Sequence, residues 1–214
     1  MYILKSIHIE IADKTIEPPF VLIKPEVSEK EYFKFATEDI SCELINGSLI
    51  IHSPASLEHE KIFIFLSTLI NIYLGEMKQG QVLGSRFVMR LGRGFIFEPD
   101  LMVLLSNSRV RITSKYLDGP ADMVIEILSP STRETDLMKK VPQYLEKGVK
   151  EIWIIDPEAK ELLLYLPNTP PTNYKGTDTV QSEVLKGFFI KLEWLWIPEN
   201  FKPLDCWNQI FKKV

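Results

Sequence analysis

Residues Asp122 to Pro157 read DMVIEILSPSTRETDLMKKVPQYLEKGVKEIWIIDP. From Met123 to Leu128 every residue except Glu126 is apolar, the composition of a strand buried on both faces in the middle of a sheet. An apolar-periodic stretch from about Thr135 to Lys147 follows and stops at Gly148, which predicts an amphipathic helix with a glycine C-terminus. Glu151 to Asp156 and Leu162 to Leu166 flank Pro157-Glu158-Ala159-Lys160 as a hairpin. The order is mixed α/β.

Upstream, Ser28 with Glu31 three residues later is a capping box, starting a short helix through Thr37 that offers Tyr32, Phe33 and Phe35 for burial. CELINGSLIIHS holds two β-rich runs around Asn46-Gly47, the dipeptide that best tolerates the positive φ of a tight hairpin turn. Ser56 caps a core helix carrying Ile62, Phe65, Leu66, Leu69, Ile70 and Tyr73, ended by Gly75. Gln81 to Leu91 and Phe95 to Leu105 read as strands. Residues 1–26, broken by Pro18-Pro19 and Pro25, read as an irregular appendage with one or two short strands. At the other end, LPNTPPTNYKGTD (166–178) predicts an exposed loop. The segment Val180 to Val214 has three of the four Trp, and its aromatic density predicts packing on the domain or on a partner subunit.

The chain has 214 residues, 45% of them hydrophobic, enough for one full core. The longest mainly apolar run, Ile62 to Leu74, is interrupted by Ser67, Thr68 and Asn71 and is too short to cross a bilayer. The first residues intersperse Lys5, His8, Glu10 and Asp13 among apolar ones, unlike a secretory signal, so a cytoplasmic protein is expected. Cys42 and Cys206 are far apart and outside any CxxC spacing, which predicts inert thiols and neither a disulfide framework nor a zinc site. The net charge of −4 argues against coating nucleic acid by electrostatics alone. Residues 86–115, however, carry Arg86, Arg90, Arg93, Arg109, Arg111 and Lys115 against only Glu98 and Asp100. That distribution predicts either a local basic surface or ordinary solvated strand ends.

Glu126 is the chemically informative residue. Strand alternation puts it on one face with Val124 and Leu128, where an unpaired carboxylate would cost several kcal/mol or take up a proton. A divalent cation shared with a second carboxylate compensates such a group, and so does an Arg or Lys in a structural salt bridge. Asp100, in FIFEPDLMVLL, is the second isolated acid, and Pro99 favours an edge or bulge there. Two converging carboxylates repel unless protonated or bridged, and oxygen ligation completed by water and phosphate is what Mg²⁺ prefers. On the helix, Lys140 borders the apolar stripe of Leu137, Val141, Tyr144 and Leu145, whereas Lys139 points away. Lys140 is therefore the candidate to face the acids, although Asp136 at i−4 offers it a plain salt bridge and Pro142 is expected to kink or reset the helix.

The same stretch, together with EPD at 98–100 and ELINGSLIIHSPASLEH at 43–59, resembles the Uma-two family of restriction endonucleases over about residues 30–166. The resemblance implies a restriction-endonuclease-like fold, a mixed central β-sheet flanked by helices, here with extra β-rich N- and C-terminal segments. It divides the chain into an appendage (1–26), a core (27–166) and a loop with an aromatic extension (167–214). It also implies a PD-(D/E)xK site in which Pro99-Asp100 is the PD element, Glu126 the second acid and Glu43 a possible additional acid. His59 matches a helical His of the family and ranks below the acids as a functional residue. The third position of E-x-K is Leu128, so Lys140 is the natural replacement for the missing lysine.

The reaction so implied is hydrolysis of a DNA phosphodiester with Mg²⁺, or Mn²⁺ in its place, held by Asp100, Glu126 and the backbone carbonyl of Ile127, with Lys140 beside the attacking water. No GxSxG, GxxxxGK[ST], HExxH or GxGxxG motif competes. The rival reading is a catalytically degenerate nuclease fold serving as a nucleic-acid-binding or assembly module, with the aromatic tail forming a homodimer.

Overall fold

In the computed structural model, which describes residues 20–36, 40–84 and 86–212, β1 (Val21–Lys24) and α1 (Glu29–Phe35) precede the hairpin β2 (Cys42–Ile45) and β3 (Ser48–His52) and the long α2 (Leu57–Met77). Next come β4 (Gly80–Gly84), β5 (Val88–Arg90), β6 (Phe95–Phe97), β7 (Leu101–Leu105), the short β8 (Arg111–Ile112) and β9 (Tyr116–Asp118), and β10 (Met123–Ile127). A helical run follows, made of α3 (Arg133–Thr135), a π-helical turn Asp136–Lys140 and α4 (Val141–Lys147). The chain ends with β11 (Glu151–Asp156), β12 (Glu161–Tyr165), β13 (Thr172–Lys175), β14 (Thr179–Gln181), β15 (Phe189–Lys191), α5 (Glu193–Trp196) and α6 (Pro203–Phe211).

The strands form two mixed sheets and a small pair, β14-β15. One sheet is ordered β13-β12-β11-β10-β7-β4, with β10 and β11 parallel and the other pairings antiparallel. The other is ordered β1-β3-β2-β6-β5-β9-β8. The helical run between β10 and β11 supplies the crossover that a parallel pair requires. Alternation along β10 sends Met123, Ile125 and Ile127 into a core with α2 and the C-terminal segment. Val124 and Leu128 go into a second core with α4 and the other sheet. A third cluster packs α1 through Tyr32 on Cys42, Leu44 and Ile96.

Several local expectations hold for the physical reasons given. Ser28 accepts the Glu31 N–H at 3.3 Å while Glu31 accepts the Ser28 N–H at 2.9 Å, completing the capping box. Asn46 and Gly47 have φ of +50° and +75°, the positive pair a two-residue hairpin turn requires. Both cysteines are buried free thiols, and burial pushes Cys42 up to about 12 and Cys206 up to about 11. No helix among the described residues is long and apolar enough to cross a membrane. Residues 1–19 of the expected appendage and Thr37, the expected end of α1, lie outside the described residues.

Other expectations need correction. Gly75 does not end α2; the helix continues to Met77, and Lys78 caps it in the left-handed region at φ +52°, donating to Leu74 and Gly75 carbonyls. The stretches 81–91 and 95–105 are each two strands rather than one. β4 and β7 lie in one sheet and β5 and β6 in the other, so the chain leaves the first sheet after Gly84 and returns through Glu98-Pro99-Asp100. Periodicity alone does not separate a long strand from two that change sheets, because both keep the alternation. The loop at 166–178 contains β13, which extends the first sheet at its edge by pairing with β12.

Candidate active site

The two passages between sheets create a fork, and the acids collect in it. The antiparallel ladder of β7 on β10 ends at the pair Leu101 and Ile125. The next residue, Asp100, uses its side chain in place of the ladder: Oδ2 accepts the Ile127 N–H at 2.7 Å. Oδ1 lies 3.1 Å from Nε2 of His59, which the Ser56 cap holds in the first turn of α2 by accepting the His59 N–H at 3.2 Å. Asp100 is thus fixed at both oxygens, each with a lone pair left. Burial works against a charged His59, but Asp100 and Glu60 together outweigh it and raise the imidazole above its ordinary value.

Glu43 enters from β2. Its Oε1 accepts the Glu98 N–H at 2.8 Å and lies 2.8 Å from the Lys140 ammonium. Its Oε2 is 3.2 Å from Nε2 of His52. Glu43 pairs across the hairpin with Ile50, so His52 is its diagonal neighbour on the same face. The sequence reading overlooked His52, although the Asn46-Gly47 turn fixes the register that would have found it.

Lys140 comes from the π-helical turn and is 4% exposed. Besides Glu43, it lies 2.9 Å from Asp136 Oδ1 and 3.3 Å from Glu126 Oε1. Tyr144, on the next turn, donates its hydroxyl to the same Glu126 Oε1 at 2.6 Å. Lys139 is exposed. The helix resets ahead of Pro142, one of the two outcomes expected there: Val141 donates to the Asp136 carbonyl five residues back, and Pro142 falls in the first turn of α4, where its missing N–H does no harm.

Three buried carboxylates, Glu43, Glu126 and Asp136, therefore share one buried lysine. Burial would raise Glu43, yet Lys140 and His52 hold it down at about 2. For Glu126 burial wins over Lys140, and the neighbouring Asp136, Asp100 and Glu43 push it further above the usual carboxylate range. Burial raises Asp136 as well. Lys140, opposed by burial, is held well above its ordinary value by Asp136, Glu126 and Glu43. Burial and then the Glu126 charge keep the Tyr144 phenol protonated. More carboxylates than cations meet here, and Glu126 and Asp136 respond by holding a proton more readily than usual.

All five residues expected at the site, Glu43, Asp100, Glu126, Ile127 and Lys140, line one open cavity of about 540 Å³. Among the described residues no three His, Cys, Asp or Glu side chains converge as a ready-made metal cluster. Two carboxylates with free lone pairs, a backbone carbonyl and room for water nonetheless form the hard oxygen set that Mg²⁺ or Mn²⁺ accepts, and carboxyls crowded enough to be raised are ones a dication would relieve. Of the six basic residues in 86–115, Arg86 also lines this cavity. Arg90 instead bridges Glu29 and Asp118 within the fold. Leu128 is packed in the core.

A mixed α/β fold of this kind is also found in a crystal structure described as a "putative nuclease belonging to DUF820" from Anabaena variabilis. That chain is 19% identical, with a TM-score of 0.70 over 79% of this chain and 97% of that one. At that identity the likeness carries the fold alone. The family is given by sequence: the family described as "Uma2: Putative restriction endonuclease" matches residues 29–193, and the chain belongs to it. No curated protein matches the sequence significantly.

Proposed function

We propose that the protein is a Mg²⁺-dependent endonuclease that hydrolyses DNA phosphodiester bonds in this cavity, with Mn²⁺ able to substitute. The observation that carries this reading is the placement of Asp100 and Glu126 at the end of the β7–β10 ladder, lining one pocket in which carboxylates crowd one another. Membership in a restriction-endonuclease family supports it. The ligands would be Asp100, Glu126 and the Ile127 carbonyl, the PD-(D/E)xK pattern with Lys140 delivered from a helix. A bound dication would supply Lewis-acid polarisation of the phosphate and an acidified water.

The protein's own residues hold that geometry. The Ile127 N–H and His59 orient Asp100. Lys140 lies within ion-pair distance of Glu43, Asp136 and Glu126, so it would support the acids and lend its field to the developing charge. For direct contact, a phosphate would have to displace one of those carboxylates. Glu43 fixes Lys140 and, through the Glu98 N–H, the start of the passage to Asp100.

The full engagement of Lys140, with Leu128 in the usual lysine position, favours the second reading, a degenerate module that binds nucleic acid or assembles. Trp194 and Trp207 are buried in the chain's own core, so a homodimer through the C-terminal segment would use the exposed Leu204 and Phe211 of α6. Plasmid nicking in Mn²⁺ and in chelator, on wild type and Asp100→Asn, separates the two readings. Metal-dependent nicking lost in the variant supports the nuclease. Intact plasmid under every condition sinks it.

A further inference from the structure

Glu126 Oε1 is contacted twice, by the Tyr144 hydroxyl at 2.6 Å and by the Lys140 ammonium at 3.3 Å. Both donors come from one helical run, four residues apart and so one above the other on the same face. Both are buried, Tyr144 completely. The Tyr144 ring is itself held edge-on against Phe97, with centroids 5.2 Å apart, so its hydroxyl has little freedom to move. With two donors on one oxygen, the carboxylate cannot rotate without breaking both bonds, and its other oxygen is the one left for a cation.

We infer that Tyr144 is a positioning residue of the metal site, whose hydroxyl locks the Glu126 carboxylate so that Oε2 alone serves as ligand. This rests on the metal-dependent reading above. A residue that orients a ligand without touching the ion typically changes metal affinity about 10- to 100-fold when lost. Tyr144→Phe removes the hydroxyl and leaves the ring on Phe97.

The test is calorimetric titration of the full chain with MnCl₂ and no DNA, using wild type, Tyr144→Phe and Glu126→Ala, with circular dichroism and melting in chelator alongside. Wild type is expected to bind Mn²⁺, Glu126→Ala to lose that binding, and Tyr144→Phe to bind at least about tenfold more weakly with an unchanged circular dichroism spectrum. Equal affinity in Tyr144→Phe and wild type would overturn the positioning role while leaving the metal site standing. Absence of Glu126-dependent binding in wild type would overturn the metal reading and the inference together. A site-specific Tyr144→fluorotyrosine change keeps the ring and hydroxyl and alters only donor strength. It is expected to shift Mn²⁺ affinity, and an unshifted affinity counts against the role even if Tyr144→Phe does not fold.

Discussion

Glu43 and Glu126 are both buried and both touch Lys140, yet the fold moves their protonation in opposite directions. Glu43 gains a second partner in His52 and a backbone N–H from Glu98, whereas Glu126 faces three other carboxylates. Glu43 sits at about 2 in the fold against an ordinary 4.5. It therefore contributes stability above the unfolded value and loses it as pH falls through the folded one, on the order of 3 kcal/mol in all. Glu43→Gln should lower unfolding free energy by about that much near neutral pH, and the gap to wild type should close on acidification. Urea unfolding at stepped pH checks this, and a gap constant with pH would contradict it. For Glu126 the sign reverses: its folded value lies above the unfolded one, so its charge is a cost that is full above the folded value and relieved as pH falls. Glu126→Gln keeps an oxygen to accept from Tyr144 and removes that cost. In chelator it should melt higher than wild type near neutral pH, with the gain fading in acid. A lower melting temperature would mean that the Lys140 contact outweighs the burial cost.

At the scale of elements, the helical run after β10 decides which lysine meets the acids. The π-helical turn at Asp136–Lys140, with the first turn of α4 behind it, brings Asp136, Lys140 and Tyr144 inward together, and it resets the helix just ahead of Pro142. Lys140→Ala would strand three buried carboxylates and should destabilise by about 3–5 kcal/mol, while Lys139→Ala should stay within about 0.5 kcal/mol. Similar losses from both would mean that the turn does not hold this register in solution. The choice of Lys140 was legible because it borders the apolar stripe, of which Val141 and Tyr144 are buried as expected, but the rest of that stripe was not. The sequence suggests Leu137 and Leu145, which remain only partly buried, and the truly buried positions include Asp136 and Lys140. Polar residues that satisfy one another inside a core leave no hydrophobic signature. The strands show the same divide: the isolated acids Asp100 and Glu126 stand out against apolar runs, while the change of sheet that brings them together depends on the return of the backbone through 98–100 and leaves no periodic trace.

Over the whole molecule, the segment after Leu166 packs as part of the core. Phe188, Ile190, Trp194 and Ile210 are fully buried in the same cluster as Leu66, Leu69 and Tyr73 of α2, and Tyr73 donates its hydroxyl to the Lys186 carbonyl at 2.6 Å. A second tie lies at the sheet itself. Glu151, fully buried on β11, accepts from Trp153 Nε1 at 2.7 Å and from the hydroxyl of Ser182 and the N–H groups of Glu183 and Val184 at 2.9, 2.9 and 2.7 Å. Burial raises that carboxyl despite these bonds. Ending the chain at Leu166 would uncover one whole face of the six-stranded sheet's core and leave Glu151 without three of its four donors. An unpaired buried carboxylate of this kind costs several kcal/mol, and marginal stability leaves little reserve to absorb that together with the lost apolar burial. The truncated chain should therefore be insoluble or expanded, binding a hydrophobic dye without a cooperative melt. The full chain should unfold in one step seen alike by tryptophan fluorescence and far-ultraviolet dichroism. A sharp melt in the truncated chain, or two separated transitions in the full one, would instead make 167–214 an accessory unit. Because β10 and β11 sit between the fork and this aromatic core, Glu151→Ala should also loosen the segment around Ser182. Hydrogen exchange there should rise before it rises at Glu126, since the carboxylates of the fork are held from the opposite face by Lys140 and Tyr144.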